Sequence, residues 1–282
     1  MAEPTKSIFL LMPEWQGSSS SRAMLITDGA AHLREDLPPA ARFDVAVPQQ
    51  AGDALGTPVA RLSSVVAARD AAREILRTAE EPAITLGGDC ASTLAGLDRA
   101  VERDPDVAVI WFDAHPDLQH PSTSPSGAAS GMALRHALGL GIADLNATHP
   151  VAPSRVLLVG AREVDPEEMH AIDELGIRRL AASSEGPAEA VSGWLAEVGA
   201  TSVYVHIDLD VLDPAEFSAV HSPVPFGLAV ADLAAAVRAA VAEASLAGAA
   251  ICEFAPATSD IASDDSPTVL RLLAALVSGG SK

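Results

Sequence analysis

The residues with the most chemistry in them are acids and histidines spaced two apart at the ends of apolar runs. One run ends in Trp111-Phe112-Asp113-Ala114-His115-Pro116-Asp117, and another ends in His206-Ile207-Asp208-Leu209-Asp210, followed by Val211-Leu212-Asp213-Pro214. Alternate side chains of an extended segment share a face. Asp113, His115 and Asp117 are therefore expected to converge, as are Asp208 and Asp210, with His206 one step deeper. Carboxylates crowded at the mouth of an apolar sheet repel one another and are costly to desolvate unless cations neutralise them. Bound metal is the simplest expectation. Carboxylates with one or two imidazoles suit Mn²⁺ or Mg²⁺ better than structural zinc. Shared carboxylates favour a pair of ions about 3.5–4 Å apart that activate a water between them. An isolated Asp-x-His triplet after a strand is as well explained by turn or cap chemistry, so the weight rests on two such sets in one sheet. Leu86-Gly87-Gly88-Asp89-Cys90 reads as a third strand end opening into a helix, and adds a candidate wall.

Short apolar runs alternate with helix-period segments along the chain. Strands are predicted at residues 7–12, 43–47, 83–86, 107–112, 155–159, 178–181, 202–207 and 249–253. Helices are predicted at 59–79, 91–101, 166–175, 188–198, 230–246 and 266–277. Strands joined by helical crossovers pair in parallel and are covered on both faces. The expected fold is an α/β three-layer αβα arrangement with a single, mainly parallel sheet of about eight strands, in one domain over residues 1–282. Two long loops, 115–131 and 208–227, leave strand carboxyl ends, where open α/β sheets bind ligands.

The 282 residues carry 18 Lys+Arg and 38 Asp+Glu, a formal charge of −20. No basic stripe exists to track phosphates, which argues against nucleic acid or an anionic membrane as partner. Two cysteines, Cys90 and Cys252, cannot build a disulfide framework. The apolar run Ile8-Phe9-Leu10-Leu11-Met12 is far shorter than the ~20 residues of a membrane helix, so a soluble cytoplasmic protein is expected.

In their order and spacing, Gly87 to Cys90, Asp113 to Asp117, Asp208 to Pro214 and Glu253 resemble the arginase/agmatinase ureohydrolases, binuclear manganese hydrolases of guanidino compounds. The resemblance implies two Mn²⁺ per subunit. Asp113 and Asp208 would bridge the ions, His115 and Asp210 would complete one site, and Asp117 with Cys90 the other. It also implies that Asp117 takes the proton of the attacking water and that Glu253 pairs with the substrate guanidinium. Urea or a substituted urea would leave with an amine, from a subunit of a trimer or hexamer.

Departures accompany the likeness. Cys90 stands where most members have a histidine ligand, although some bacterial members, hydroxyarginine hydrolases among them, also carry cysteine. Ser130 occupies the place of the proton-shuttle histidine and cannot titrate near neutrality, which leaves His120 and His221, one in each long loop, as candidates. Ala255 and Ala128 each replace an asparagine, and Gln119 replaces another. Ser126 matches a carboxylate-contacting serine, and Asp165 and Glu168 match acids that bind the substrate amino group. Two rival readings are a catalytically silent metal-binding homologue and a hydrolase of a formimino or amide substrate.

Overall fold

The computed structural model describes residues 7–182 and 186–279. Eight short strands, β1 (Ile8–Leu11), β2 (Arg42–Asp44), β3 (Ala83–Leu86), β4 (Ala108–Phe112), β5 (Val156–Val159), β6 (Arg178–Leu180), β7 (Ser202–Asp208) and β8 (Ser245–Cys252), form one sheet in the order β2-β1-β3-β8-β7-β4-β5-β6. Every pairing is parallel, as buried four- and five-residue apolar runs such as Ala108–Phe112 require. All strand carboxyl ends therefore lie along one edge. The four innermost strands, β3, β8, β7 and β4, bring the Cys90, Glu253, Asp208 and Asp113 segments side by side there.

The helices are α1 (Leu25–Leu33), α2 (Leu62–Leu76), α3 (Leu94–Arg103), α4 (Ala133–Ala137), α5 (Pro166–Leu175), α6 (Pro187–Glu197), α7 (Val230–Glu243) and α8 (Ser259–Val277). The pleat decides which layer each strand residue meets. Ile110, Val205, Ile207, Ala249 and Ile251 pack with apolar residues of α1, α6, α7 and α8. Val109, Trp111, Tyr204, Ala250 and Cys252 face the other way, onto α2, α3, α4 and α5. Among the described residues no helix is long and apolar enough to cross a membrane.

Where boundaries differ from the sequence reading, tertiary contacts have overridden local propensity. The alanine-rich stretch 230–246 reads as helix to its end, yet α7 stops at Glu243 and β8 begins at Ser245, where residues 245–248 pair with β7. Helix α8 starts seven residues before the predicted Ser266 and runs through Pro267. Thr258 caps it, and buried Asp265 accepts hydrogen bonds from the Ser218 backbone and hydroxyl, tying the first turns to the 208–227 loop. Helix α1 was not legible because Gly29 sits in its middle. That glycine is needed, since a Cβ there would stand 2.1 Å from the Phe254 carbonyl oxygen.

Candidate metal centre

The strand ends converge as the spacing predicts, but by a different backbone route. β4 stops at Phe112, and Asp117 turns back with φ 52°; β7 stops at Asp208, and Asp210 lies in a short 3-10 turn. The alternation argument holds only for His206 and Asp208, inside the strand. Turns bring the remaining ligand candidates together. Asp208 closes its own turn by accepting the Asp210 N–H at 2.8 Å, and Asp113 does the same for the His115 N–H at 2.6 Å. Arg162, after β5, donates to the carbonyls of Asp210 at 2.8 Å and Val224 at 2.6 Å, so the loop carrying Asp210 is clamped to the segment near His221.

Among the described residues, donor atoms fall into three groups, each within 4.8 Å and buried but for partly exposed His115: Cys90, Asp113, Asp117 and His206; Cys90, Asp208 and Glu253; and Asp113, His115 and Asp210. Asp113 belongs to two of them. Burial and the Asp210 charge push its carboxyl up to about 7. Burial raises Asp117 and Asp208 well above the carboxylate range, with nearby acids adding to it. Burial also raises the Cys90 thiol, which donates to Asp208 Oδ2 at 3.0 Å. Burial works against charge on His115 and Asp210 too, but their 3.0 Å contact outweighs it, raising the imidazole and lowering the carboxyl. A protonated imidazole thus does locally what a divalent cation would do for the whole cluster.

The donor set fits such cations. Asp117 Oδ2 and both ring nitrogens of His206 are buried without a hydrogen-bond partner, and such groups are costly unless something coordinates them. Oxygen donors with neutral nitrogens suit Mn²⁺, while the Cys90 sulfur is a softer addition on one side.

A cavity of about 450 Å³ opens over this cluster. Cys90, His115, Asp117, Asp208, Asp210 and Glu253 line it, as do His221, Gln119, Ser126, Ser130 and Glu168. Glu253 lies just past β8 in the left-handed region, φ 67°, rather than at the end of a strand as predicted over 249–253; its N–H donates to the Gly88 carbonyl at 2.9 Å. His221 Nε2 stands 2.5 Å from Glu253 Oε2, an ion-pair contact, and 3.4 Å from Ser18 Oγ.

Two sequence candidates are not brought to the cavity. His120 is exposed, and its Nδ1 is engaged by the Ser122 hydroxyl at 2.7 Å. Asp165 caps α5 in a capping box with Glu168 and accepts from Gln119 Nε2 at 3.3 Å. Glu168 does line the cavity, but its two oxygens accept from the Leu118 and Asp165 N–H groups. Sequence reasoning passed over Glu14 and took Asp89 only as part of a candidate wall; both are fully buried, with pKa values raised by burial, Asp89 to about 8. It also passed over the Ser18 to Ser21 run as a wall of the cavity, where position after β1 was the only available sign.

These shifts fix how stability follows pH. Asp113, at about 7, and Asp89, at about 8, lie above their unfolded values near 3.9, so their contribution is full below about pH 4 and is lost as pH rises through 7 to 8. His206, lowered by burial to about 3, and His136, to about 4, act oppositely, but only below the unfolded histidine value of about 6.5. The metal-free protein is therefore expected to lose several degrees of melting temperature between about pH 6.5 and 8, and Mn²⁺ to cancel the loss by favouring the ionised carboxylates. Thermal melts in EDTA and in Mn²⁺ check this; equal pH slopes would contradict it.

Comparison with known proteins places this geometry. The model of the arginase family matches residues 17–277. The N(omega)-hydroxy-L-arginine amidinohydrolase of Streptomyces lavendulae is 31% identical over 266 residues, 92% of this chain and 94% of the relative. The arginase of Entamoeba histolytica is 33% identical over 158 residues, 53% of either chain. The solved structure of an Entamoeba histolytica arginase in complex with L-ornithine superposes with a TM-score of 0.85 at 22% identity, covering 99% of this chain and all of that one.

Proposed function

The chain belongs to the arginase family, the metal-dependent ureohydrolases, and from that premise we propose that it hydrolyses a linear guanidino compound to urea, or a substituted urea, and an amine. The observation that carries the reading is Glu253, a carboxylate 6% exposed that lines the cavity beside the cluster and whose only close cation among the described residues is His221 at the cavity wall. A guanidinium presents parallel N–H donors to such a fork and to little else in this acidic cavity.

Asp113, Asp208, His115 and Asp210 would hold one Mn²⁺, and Asp113, Asp208, Asp117 and Cys90 the other. When bound, the two ions lower the pKa of a water at the site toward neutrality and polarise the substrate. Glu253 holds the guanidino carbon over the cluster. Asp117, whose Oδ2 accepts no hydrogen bond, takes the proton of the attacking water while remaining a ligand. Proton delivery to the leaving amine falls to His221, partly buried at the cavity wall, because Ser130 has no titrating group. Ser126 and Ser130 offer hydroxyls to the rest of the substrate. Asp165 and Glu168 support that wall by fixing Gln119 and Leu118. The family habit points to a cytoplasmic trimer or hexamer.

His221→Asn is expected to lower kcat by about 10²–10³, the usual contribution of a positioned acid, and to change KM far less. An unchanged kcat would remove His221 from the reaction. The function itself is tested by stripping the protein with EDTA, restoring Mn²⁺ and assaying release of urea from arginine, agmatine and guanidinobutyrate and of hydroxyurea from hydroxyarginine. Metal-dependent urea or hydroxyurea from at least one of them supports the reading; neither product from any contradicts it.

A further inference from the structure

We propose that His206 is a metal ligand, giving the ion at Cys90, Asp113 and Asp117 the imidazole nitrogen that Cys90 itself does not provide; this rests on the two-metal reading above. His206 lies inside β7, fully buried, between Trp111 of β4 and Ala250 of β8 in the sheet register. The Trp111 ring stacks on it, centroids 3.6 Å apart and 15° from parallel, which holds the imidazole plane in place. One ring nitrogen lies within 4.8 Å of Cys90 Sγ and of carboxylate oxygens of Asp113 and Asp117.

Neither ring nitrogen has a hydrogen-bond partner, a condition no other buried histidine among the described residues shares; His136 at least places Nδ1 2.8 Å from the Met132 carbonyl. The same face of the same strand satisfies its other polar group, since Tyr204 Oη lies 2.9 Å from Thr93 Oγ1. A histidine retained only for packing would leave a donor and an acceptor buried without partners, which native interiors rarely tolerate. Charge points the same way. Cys90 thiolate with Asp113, Asp117 and Asp208 already places four anionic donors around one divalent ion, so a neutral nitrogen completes the coordination without adding repulsion. Sulfur and imidazole together also make this the softer of the two sites, with a preference for Co²⁺ or Zn²⁺ over Mn²⁺ relative to its neighbour.

The test is a Co²⁺ titration of the full chain, followed by visible absorption and by metal content after dialysis, in wild type, Cys90→Ser, His206→Asn and His206→Phe. Two ions are expected in wild type, one with a thiolate-to-cobalt band that Cys90→Ser abolishes. Both His206 variants are expected to weaken that ion at least about tenfold and leave the other unchanged. A readout without reliance on variant stability is the proton NMR spectrum of the Co²⁺-loaded wild type, where fully buried His206 adds a strongly shifted ring N–H that exchanges slowly with solvent, beside the faster-exchanging one of partly exposed His115. Unchanged affinity and band in both variants, or no such shifted N–H, overturns the assignment while leaving the two-metal reading intact. A wild-type chain that takes up no cobalt overturns both.

Discussion

Asp113→Asn is expected to empty the centre, with neither ion retained after gel filtration in metal-free buffer and guanidine hydrolysis down at least about a thousandfold. The reason is topological. Asp113 is the carboxylate common to the Cys90, Asp117 and His206 group and to the His115 and Asp210 group. It cannot be replaced by rearrangement, because Oδ2 is fixed by the Trp111 indole N–H at 3.1 Å and Oδ1 by the His115 N–H. The amide keeps the volume but loses the charge that holds two cations close together. Lewis-acid polarisation contributes several kcal/mol to such reactions, and each 1.4 kcal/mol is about tenfold in rate. The metal-free variant should melt no lower than the metal-free parent, since a neutral group replaces a buried acid whose ionisation is already disfavoured. Metal analysis, assay and thermal melts check the three parts separately; retention of both ions would contradict the bridging role.

Glu253→Gln is expected to lower kcat/KM by about 10²–10³ with both ions still bound. Losing one partner of a buried ion pair costs about 2–5 kcal/mol, and here the other partner is the substrate guanidinium. His221 magnifies the effect, because its 2.5 Å contact with Glu253 Oε2 couples the substrate clamp to the group that delivers the proton. Activity within tenfold of the parent would place the guanidinium elsewhere in the cavity.

Much of this was legible in the chain. Period-two spacing pointed to the carboxylates, and continuous apolar runs between helical segments predicted a mainly parallel sheet of about eight strands; the structure has eight, all parallel, with the inner ones carrying the acids. What alternation could not convey was how the acids meet. Asp117 and Glu253 occupy left-handed backbone, and Asp210 a 3-10 turn, so the loops rather than the strands complete the centre. Loop geometry depends on distant contacts such as Arg162 to the carbonyls of Asp210 and Val224, which leave no local sequence sign. The same limit explains His120. Its place in a long loop suggested reach, yet the loop turns its ring outward to Ser122. His206 is the converse: it was placed on the correct face, one step deeper, but only the stacked Trp111 ring and two unpartnered nitrogens give it a role.

The most direct test of a guanidino hydrolase is the identity and ratio of its products. The Mn²⁺-loaded full chain would be incubated with arginine, hydroxyarginine, agmatine and guanidinobutyrate, and the amine and the urea or hydroxyurea quantified together by mass spectrometry. Cleavage between the central carbon and the alkyl-bearing nitrogen requires one amine for each urea formed, in a Mn²⁺-dependent reaction. Release of ammonia with a ureido product, or consumption of a formimino compound while every guanidine is left intact, would contradict it.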